Sequence, residues 1–270
     1  MQRRYRIGTR GSRLALIQAN EVARRIALAQ HADVADVTEV VVISTAGDRV
    51  QDRALSEIGG KGLFTQEIEE QLGDARIDVA VKDMPTVLPD GLVIDCLLER
   101  ADPRDAFLSF KAGSLADLAH GAVVGTSSLR RAAQIRARRR DIEVVPFRGN
   151  VDTRLRKLED GVADATVLAM AGLIRMGLED RVTAPLSVED MLPAVAQGAI
   201  GIERRAGDDE AGHLLAKLNH TQTSLRVAAE RAFLAVLDGS CRTPIAALAE
   251  ISGERMRLRT MILTPDGAEV

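Results

Sequence analysis

Short apolar runs ending in glycine or small polar residues alternate with longer stretches of helical period along most of this chain. Residues 4–8 read as a strand that stops at the polar junction Thr9-Arg10-Gly11-Ser12. Leu14, Leu16, Ile17 and Val22, with alanines between them, then form a helical stripe, and residues 38–44 (TEVVVIS) form a second strand. Strand, helix, strand predicts a βαβ unit with parallel pairing. A polar turn at Gly47 and Asp48 and a glycine-rich loop at residues 59–62 precede a helix predicted over residues 63–72. Residues 76–81 (RIDVAV) are a central-strand candidate that delivers Lys82 and Asp83 at its end, with Pro85 stiffening the exit. Residues 92–98 are strand-like and hold Cys96 as packing.

The same alternation continues beyond a polar, proline-containing boundary at residues 99–105. A strand at 105–109, a short helix at 114–118 and a buried strand at 122–125 lead to Thr126, Ser127 and Ser128 at a helix start. A strand at 142–146 delivers Arg148, Gly149 and Asn150 to a similar strand end, and Arg154 lies one turn into the next helix. A strand at 164–169 and a helix at 170–178 carrying Arg175 follow. Residues 185–193 are a second crossing between domains, after which Gln197-Gly198 opens a strand-like run to residue 203. Two crossings predict a chain that leaves one domain, builds another and returns, with a ligand cleft between them. Helices at 208–219 and 224–237 come next. The second shows Leu225, Ala228, Ala229, Ala232, Phe233 and Val236 on one broad face. Strands at 245–249 and 256–264 form a small further domain, with a hairpin turn at Pro265-Asp266-Gly267 and a returning strand beginning at Glu269 and Val270.

Composition narrows the function classes. The chain has 270 residues and a net charge of -3, so no global positive field draws it to nucleic acid or membrane. It has no Trp and one Tyr, which leaves almost no base-stacking platform. No apolar run reaches transmembrane length, and MQRRYRIGTR enters a strand without a signal-type apolar segment, so a cytoplasmic protein is expected. Two distant cysteines and four scattered histidines give neither a disulfide scaffold nor a metal-ligand spacing, so no metal is expected.

The arginines carry the chemistry. Thr126, Ser127 and Ser128 offer hydroxyls at a helix start, where backbone N–H groups make an anion site. Arg130 and Arg131 occupy the first turn, where the helix dipole gives cations no help, a placement that makes sense beside a bound anion. With Arg148 and Arg154 they bring guanidinium groups from two strand–helix junctions, an arrangement suited to a ligand with several carboxylates or phosphates. Arg138, Arg139 and Arg140 read as a solvated helix end. Lys61 either reaches an anion or is solvated. Asp83 is a candidate acid at a strand end, with Lys82 beside it. Cys241 is a nucleophile, a cofactor anchor or inert. An enzyme acting on a polycarboxylate and a non-catalytic two-domain anion binder both remain open, and Asp83 and Cys241 discriminate between them.

Nine blocks, in order, resemble the porphobilinogen deaminase (hydroxymethylbilane synthase) family. They are IGTRGSRLALIQ (7–18), GGKGLFTQEIEE (59–70), KDMPTVLPDG (82–91), DPRDAF (102–107), GTSSLRR with RGNVDTRL (within 124–158), AMAGLIRMG (169–177), LPAVAQGAIGIE (192–203), NHTQTSLRVAAER (219–231) and GSCRTP (239–244). The resemblance implies a three-domain α/β protein. Its first two domains resemble type II periplasmic binding proteins, and its small α+β third domain carries the cofactor cysteine. The implied division is 1–98 with 198–217, then 99–197, then 218–270, the last short of the family's usual C-terminal stretch. The implied activity is that of a transferase in porphyrin and haem biosynthesis. It joins four porphobilinogen units head to tail, with release of ammonia, into the linear tetrapyrrole 1-hydroxymethylbilane. The growing chain is held on a dipyrromethane primer bound through the cysteine matching Cys241.

The same resemblance assigns catalytic positions to Asp83, Lys82, Arg10, Arg148, Arg154 and Arg175. It assigns cofactor-binding positions to Cys241, Asp83, Lys82, Ser12, Thr126, Ser127, Ser128, Arg130, Arg131 and Gly198, with Gln197 beside the last. It further implies the small-molecule substrate porphobilinogen as partner, and because no exposed apolar helix face stands out in the sequence, a monomer is expected. Family members read His-Ser-x before the Lys-Asp pair, whereas here Val81 runs directly into Lys82. A glycine before the cysteine is also commoner in the family than Ser240.

Overall fold

The computed structural model describes residues 3–45, 65–82, 88–237 and 243–270. The expected turn at Gly47 and Asp48, Lys61 with its glycine loop, and Asp83, Pro85 and Cys241 lie outside the described residues. In chain order the elements are β1 (Tyr5–Thr9), α1 (Arg13–Gln30), α2 (Val34–Val37), β2 (Thr38–Val42), α3 (Gln66–Gly73), β3 (Val79–Lys82) and β4 (Leu92–Leu97). Next come β5 (Asp105–Ser109), β6 (Val123–Gly125), α4 (Leu129–Arg138), β7 (Glu143–Val145), α5 (Val151–Glu159), β8 (Ala165–Ala169), α6 (Met170–Arg175) and the short β9 (Ala184–Pro185). β10 (Gly201–Arg205), α7 (Asp209–Ala216), α8 (Thr221–Val236), β11 (Ile245–Ser252) and β12 (Arg255–Ile262) complete the chain.

One compact unit comprises Met1–Arg100 with Ala199–Leu225. Its sheet has the order β2-β1-β3-β10-β4. β1 runs parallel to β2 and to β3, and β10 is antiparallel to both its neighbours. Alternation along β3 sends Val79 and Val81 to one face, where they pack with Val22 and Ile26 of α1 and Leu215 of α7. Ala80 goes to the other face, with Ile68 and Leu72 of α3. The parallel βαβ start is therefore as predicted. The stripe on α1 is shifted: its buried positions are Gln18, Ala19, Val22, Ala23, Ile26 and Ala27, and Leu14, Leu16 and Ile17 are only half-buried.

The other unit comprises Ala101–Gly198 with Arg226–Val270. Its five-stranded sheet, β7-β6-β8-β5-β9, repeats the first topology. β6 is parallel to β7 and β8, and β5 is antiparallel to β8 and β9. Phe107 and Val167 face α4, through Ile135, while Ala106, Leu108 and Leu168 face Leu155 and Leu158 of α5. The hairpin β11–β12 packs Ala246 and Leu248 against Leu192.

Four local expectations are corrected. Residues 114–118 form a turn instead of a helix: the Ser114 hydroxyl binds the Asp117 carboxylate at 2.7 Å and accepts its N–H at 3.3 Å, so a side chain replaces the helical bond. The apolar positions there, Leu115 and Leu118, are core contacts. The end of α4 is not simply solvated, because Arg139 donates to the carbonyls of Leu115, Ala116 and Leu118 and pairs with Asp141 at 2.7 Å. The buried side of α8 carries Thr223, Val227 and Glu230, whereas Leu225 and Val236 are exposed. Glu230 accepts from the N–H groups of Ala196 (2.7 Å) and Ala249 (2.8 Å), and satisfying those buried donors outweighs the apolar stripe. Finally, the turn at Pro265-Asp266-Gly267 forms, but Glu269 and Val270 are in no strand and the C-terminal sheet has two strands. Gly267 sits where a Cβ would be 2.5 Å from the Ala133 carbonyl of α4.

An ion cluster closes the bottom of the first sheet. Asp78 accepts from the Arg6 N–H and Nε, both at 2.9 Å, and from Arg3 at 3.0 Å. Burial alone would raise its carboxyl, but these donors outweigh that and hold it at about 2. A carboxyl held below its unfolded value stabilises the fold above the ordinary carboxylate range and loses that contribution as pH falls through about 2. We expect Asp78→Asn to lower stability near pH 7 by about 2 kcal/mol. Urea midpoints of the two proteins should converge as the pH falls from about 4 to about 2.

Candidate functional site

Parallel pairing of β6 and β7 places their carboxyl ends on the same sheet edge. The β6 exit is ordered by its own hydroxyls. Thr126 accepts from Ser128 N–H at 3.2 Å, Ser127 from Phe147 N–H at 3.0 Å, and Ser128 caps α4 by accepting from Arg131 N–H at 3.4 Å. At the β7 exit Asn150 caps α5, accepting from Thr153 N–H at 2.9 Å. Phe147, fully buried, locks the two exits together: a Cβ on Gly125 would lie 2.4 Å from its ring. Two capped helix starts thus emerge side by side, the first of them as the hydroxyls of Thr126, Ser127 and Ser128 predicted.

Four of the expected arginines meet this edge, in two different ways. Arg130 is enclosed. One Nη donates to Leu192 O at 2.7 Å, and the other to Asp105 at 2.8 Å and to Gln197 Oε1 at 3.2 Å. Arg131 places Nε and Nη2 on the same Asp105 carboxylate, at 3.0 and 2.7 Å. Arg154 donates Nε to Gly149 O at 2.9 Å and has no carboxylate partner among the described residues. Burial, then repulsion from Arg131 and Arg148, pushes its guanidinium down to about 10. Arg131 and Arg148 thus stand close enough to Arg154 to repel its charge, which burial also disfavours. Arg175 donates to Gly198 O at 2.6 Å. Gly198 has φ +88°, and a Cβ there would approach Ala101 O to 2.8 Å, so glycine is required.

Asp105 is the residue that inspection of the sequence missed. It is fully buried, and burial would raise its carboxyl, but Arg130 and Arg131 outweigh this and hold it below the usual range. Its signal was the register of β5: Asp105 alternates with Phe107, so an acid stands on the face that packs against α4.

The remaining site candidates belong to the other unit. Ser12 caps α1, accepting from Ala15 N–H at 3.3 Å, the same device after β1 that Ser128 supplies after β6. Arg10, half-buried, follows β1, and Lys82 ends the parallel strand β3, so both stand at one sheet edge. Lys82 shares the Ala80 face and is buried, with its ammonium on Glu69 and 2.6 Å from Glu203. Glu203 is fully buried; burial raises its carboxyl, against the pull of Lys82. Among the described residues no cluster suits a metal ion, and no helix is long and apolar enough to cross a membrane.

The family profile described as porphobilinogen deaminase, dipyrromethane cofactor binding domain, matches residues 5–213. A second, described as porphobilinogen deaminase, C-terminal domain, matches residues 224–270. The chain belongs to the porphobilinogen deaminase family. A curated porphobilinogen deaminase from Paracoccus denitrificans (strain Pd 1222) is 60% identical over 272 residues, covering 100% of this chain and 87% of that protein. Among solved structures, an ancestral cationic amino acid solute binding protein aligns with a TM-score of 0.50 at 14% identity, over 87% of this chain and 92% of its own. A periplasmic substrate-binding protein from Coxiella burnetii aligns at 0.49 and 15% identity, over 84% of this chain and 96% of its own. The chain is thus an α/β protein whose two sheet-containing domains resemble periplasmic binding proteins, with a small C-terminal domain. Arg10, Arg130, Arg131, Arg148, Arg154 and Arg175, with Lys82, Asp83 and Gly198, lie inside the segment matched to the family's cofactor-binding domain, and Cys241 lies in the C-terminal one.

A desolvated cation cluster predicts stabilisation by polyanions. Benzene-1,2,4,5-tetracarboxylate at about 100 times its Kd should stabilise Cys241→Ala protein by about 3 kcal/mol. Differential scanning calorimetry should show that Arg154→Met removes most of this gain without lowering the ligand-free Tm, since it deletes a repelled charge and keeps the apolar stem.

Proposed function

We propose that this chain joins porphobilinogen units head to tail with loss of ammonia, as its family does, and that Arg131, Arg148 and Arg154 hold ring carboxylates while it does so. The observation that carries the reading is the match of residues 5–213 and 224–270 to the porphobilinogen deaminase profiles, with Arg131, Arg148 and Arg154 converging beyond the ends of β6 and β7. A site of concentrated, partly dehydrated positive charge gains most from a ligand with a carboxylate for each arginine. A dipyrromethane with its acid side chains fits that donor set. When bound, it supplies the primer to which the growing chain stays attached.

The chain's own groups take defined parts. The α4 and α5 starts present N–H groups and hydroxyls to anionic oxygens. Arg148 and Arg154 orient the incoming pyrrole through its carboxylates, and Arg10 and Arg175 extend the same role. Asp83, next in sequence after β3, donates a proton to the departing amine and then offsets positive charge at pyrrole nitrogen. Lys82, flanked by Glu69 and Glu203, keeps the β3 end charged. Ser12, Thr126, Ser127 and Ser128 shape the helix starts, and Gly198 admits close backbone approach. Cys241 is the attachment point. The reading extends to a cytoplasmic monomer acting on free substrate.

Intact mass under denaturing conditions tests it directly. We expect an excess equal to two linked pyrrole units, absent from Cys241→Ala. An unmodified mass that stays unmodified after incubation with porphobilinogen would instead favour a non-catalytic anion binder.

A further inference from the structure

Arg131 is useful to a ligand only if it stays beside Arg148 and Arg154, yet the repulsion between Arg131 and Arg154 opposes that. Something must hold it there. The bonds of Arg131 to Asp105 use Nε and Nη2, which leaves Nη1 as its remaining guanidinium nitrogen among the described residues. The carboxylate doing the holding is itself immobile. Asp105 begins β5, in register with Ala169 of β8, and its carbonyl accepts from Leu186 N–H at 2.8 Å. Its Oδ2 takes Arg130, and its Oδ1 also takes Gln197 Nε2 at 3.0 Å, while Gln197 Nε2 bonds Pro103 O at 2.7 Å. Arg130, fixed on Leu192 O, thus acts as a strut that clamps Asp105 from behind. One buried carboxylate gathers four N–H donations from three side chains and sets which edge of Arg131 is presented.

We propose that Asp105 is a positioning residue of the anion site, fixing Arg131 against the repulsion of Arg154 so that its Nη1 edge meets a ligand carboxylate. The inference rests on reading the arginine cluster as a polycarboxylate site. It divides the labour between adjacent arginines: Arg131 meets the ligand, and Arg130 serves the scaffold.

The sign of one substitution separates this role from simple charge balance. Asp105→Asn makes the site one charge more positive. If Asp105 were only a counter-charge, polyanion affinity would rise, whereas loss of positioning makes it fall. The experiment is titration calorimetry of benzene-1,2,4,5-tetracarboxylate into the full chain carrying Cys241→Ala, alone and with Asp105→Asn or Asp105→Glu, with folding checked by circular dichroism. We expect each Asp105 variant to bind about tenfold more weakly, the worth of one charge-assisted hydrogen bond. Unchanged or tighter binding in a folded Asp105 variant overturns the inference. Failure of the parent Cys241→Ala chain to bind the probe would overturn the polycarboxylate reading beneath it.

A second measurement needs no Asp105 variant. Nitrogen-15 NMR of the Cys241→Ala chain, with the Arg131 Nε–H signal assigned through Arg131→Lys, should show that proton exchanging slowly with solvent both before and after saturation with the probe. Rapid exchange, or release from Asp105 on binding, rejects a positioning role even where the Asp105 variants do not fold.

Discussion

A carboxylate with no access to water must be surrounded by donors, and Asp105 imposes that condition on the middle of its unit. It stands at the head of β5, on the face turned to α4, and its donors come from α4 and from the chain around residue 197. Removing one partner of such a buried pair costs roughly 3–5 kcal/mol, because the other charge is then left uncompensated. The arrangement therefore dictates where α4 begins and where the chain near Leu192 lies. Arg130 and Gln134 both donate to Leu192 O, and Gln134 Oε1 accepts from Leu192 N–H. Downstream, Ala196 adopts φ +60° and Gly198 φ +88°, backbone that a tight path between fixed partners requires. Glu230 holds the Ala196 N–H and thereby ties the same segment to β11.

The two units share a topology and differ in charge. In the first, the cation Lys82 is paired with two carboxylates, Glu69 and Glu203. In the second, one acid faces Arg130 and Arg131, and Arg154 has no carboxylate partner among the described residues. Equivalent scaffolding, a serine-capped helix after β1 and after β6, thus carries different local chemistry. A net charge of -3 conceals this, because the positive surplus is confined to one sheet edge. Confinement gives it force: guanidinium groups removed from water repel strongly and reward an anion strongly.

Much of the scaffold was legible. Short apolar runs marked the strands, and small polar residues after β1, β6 and β7 marked the helix starts, because caps are satisfied by residues one to three positions away. The convergence of Arg131, Arg148 and Arg154 was also foreseeable, since all three lie within nine residues of the ends of β6 and β7. Misreadings occurred where a side chain displaced a regular bond. Ser114 and Asp117 broke a helical pattern, Arg139 was drawn to loop carbonyls, and Glu230 turned α8 so that an acid faced inward. Each depends on a partner distant in sequence, or on competition that propensity does not weigh.

By itself, then, the sequence determined the alternating α/β architecture, the family and the sheet edge to which the arginines come, all set by local periodicity, short-range capping and ordered motifs. The tertiary structure decided which arginine is buried as scaffold and which remains beside like charges. That distinction rests on Asp105, twenty-five residues before Arg130 and brought to it only by the packing of β5 on α4. It likewise decided that Lys82 lies between Glu69 and Glu203, thirteen residues before it and 121 after it. Desolvation and Coulomb energy depend on three-dimensional distance, and no pattern along the chain carries that quantity.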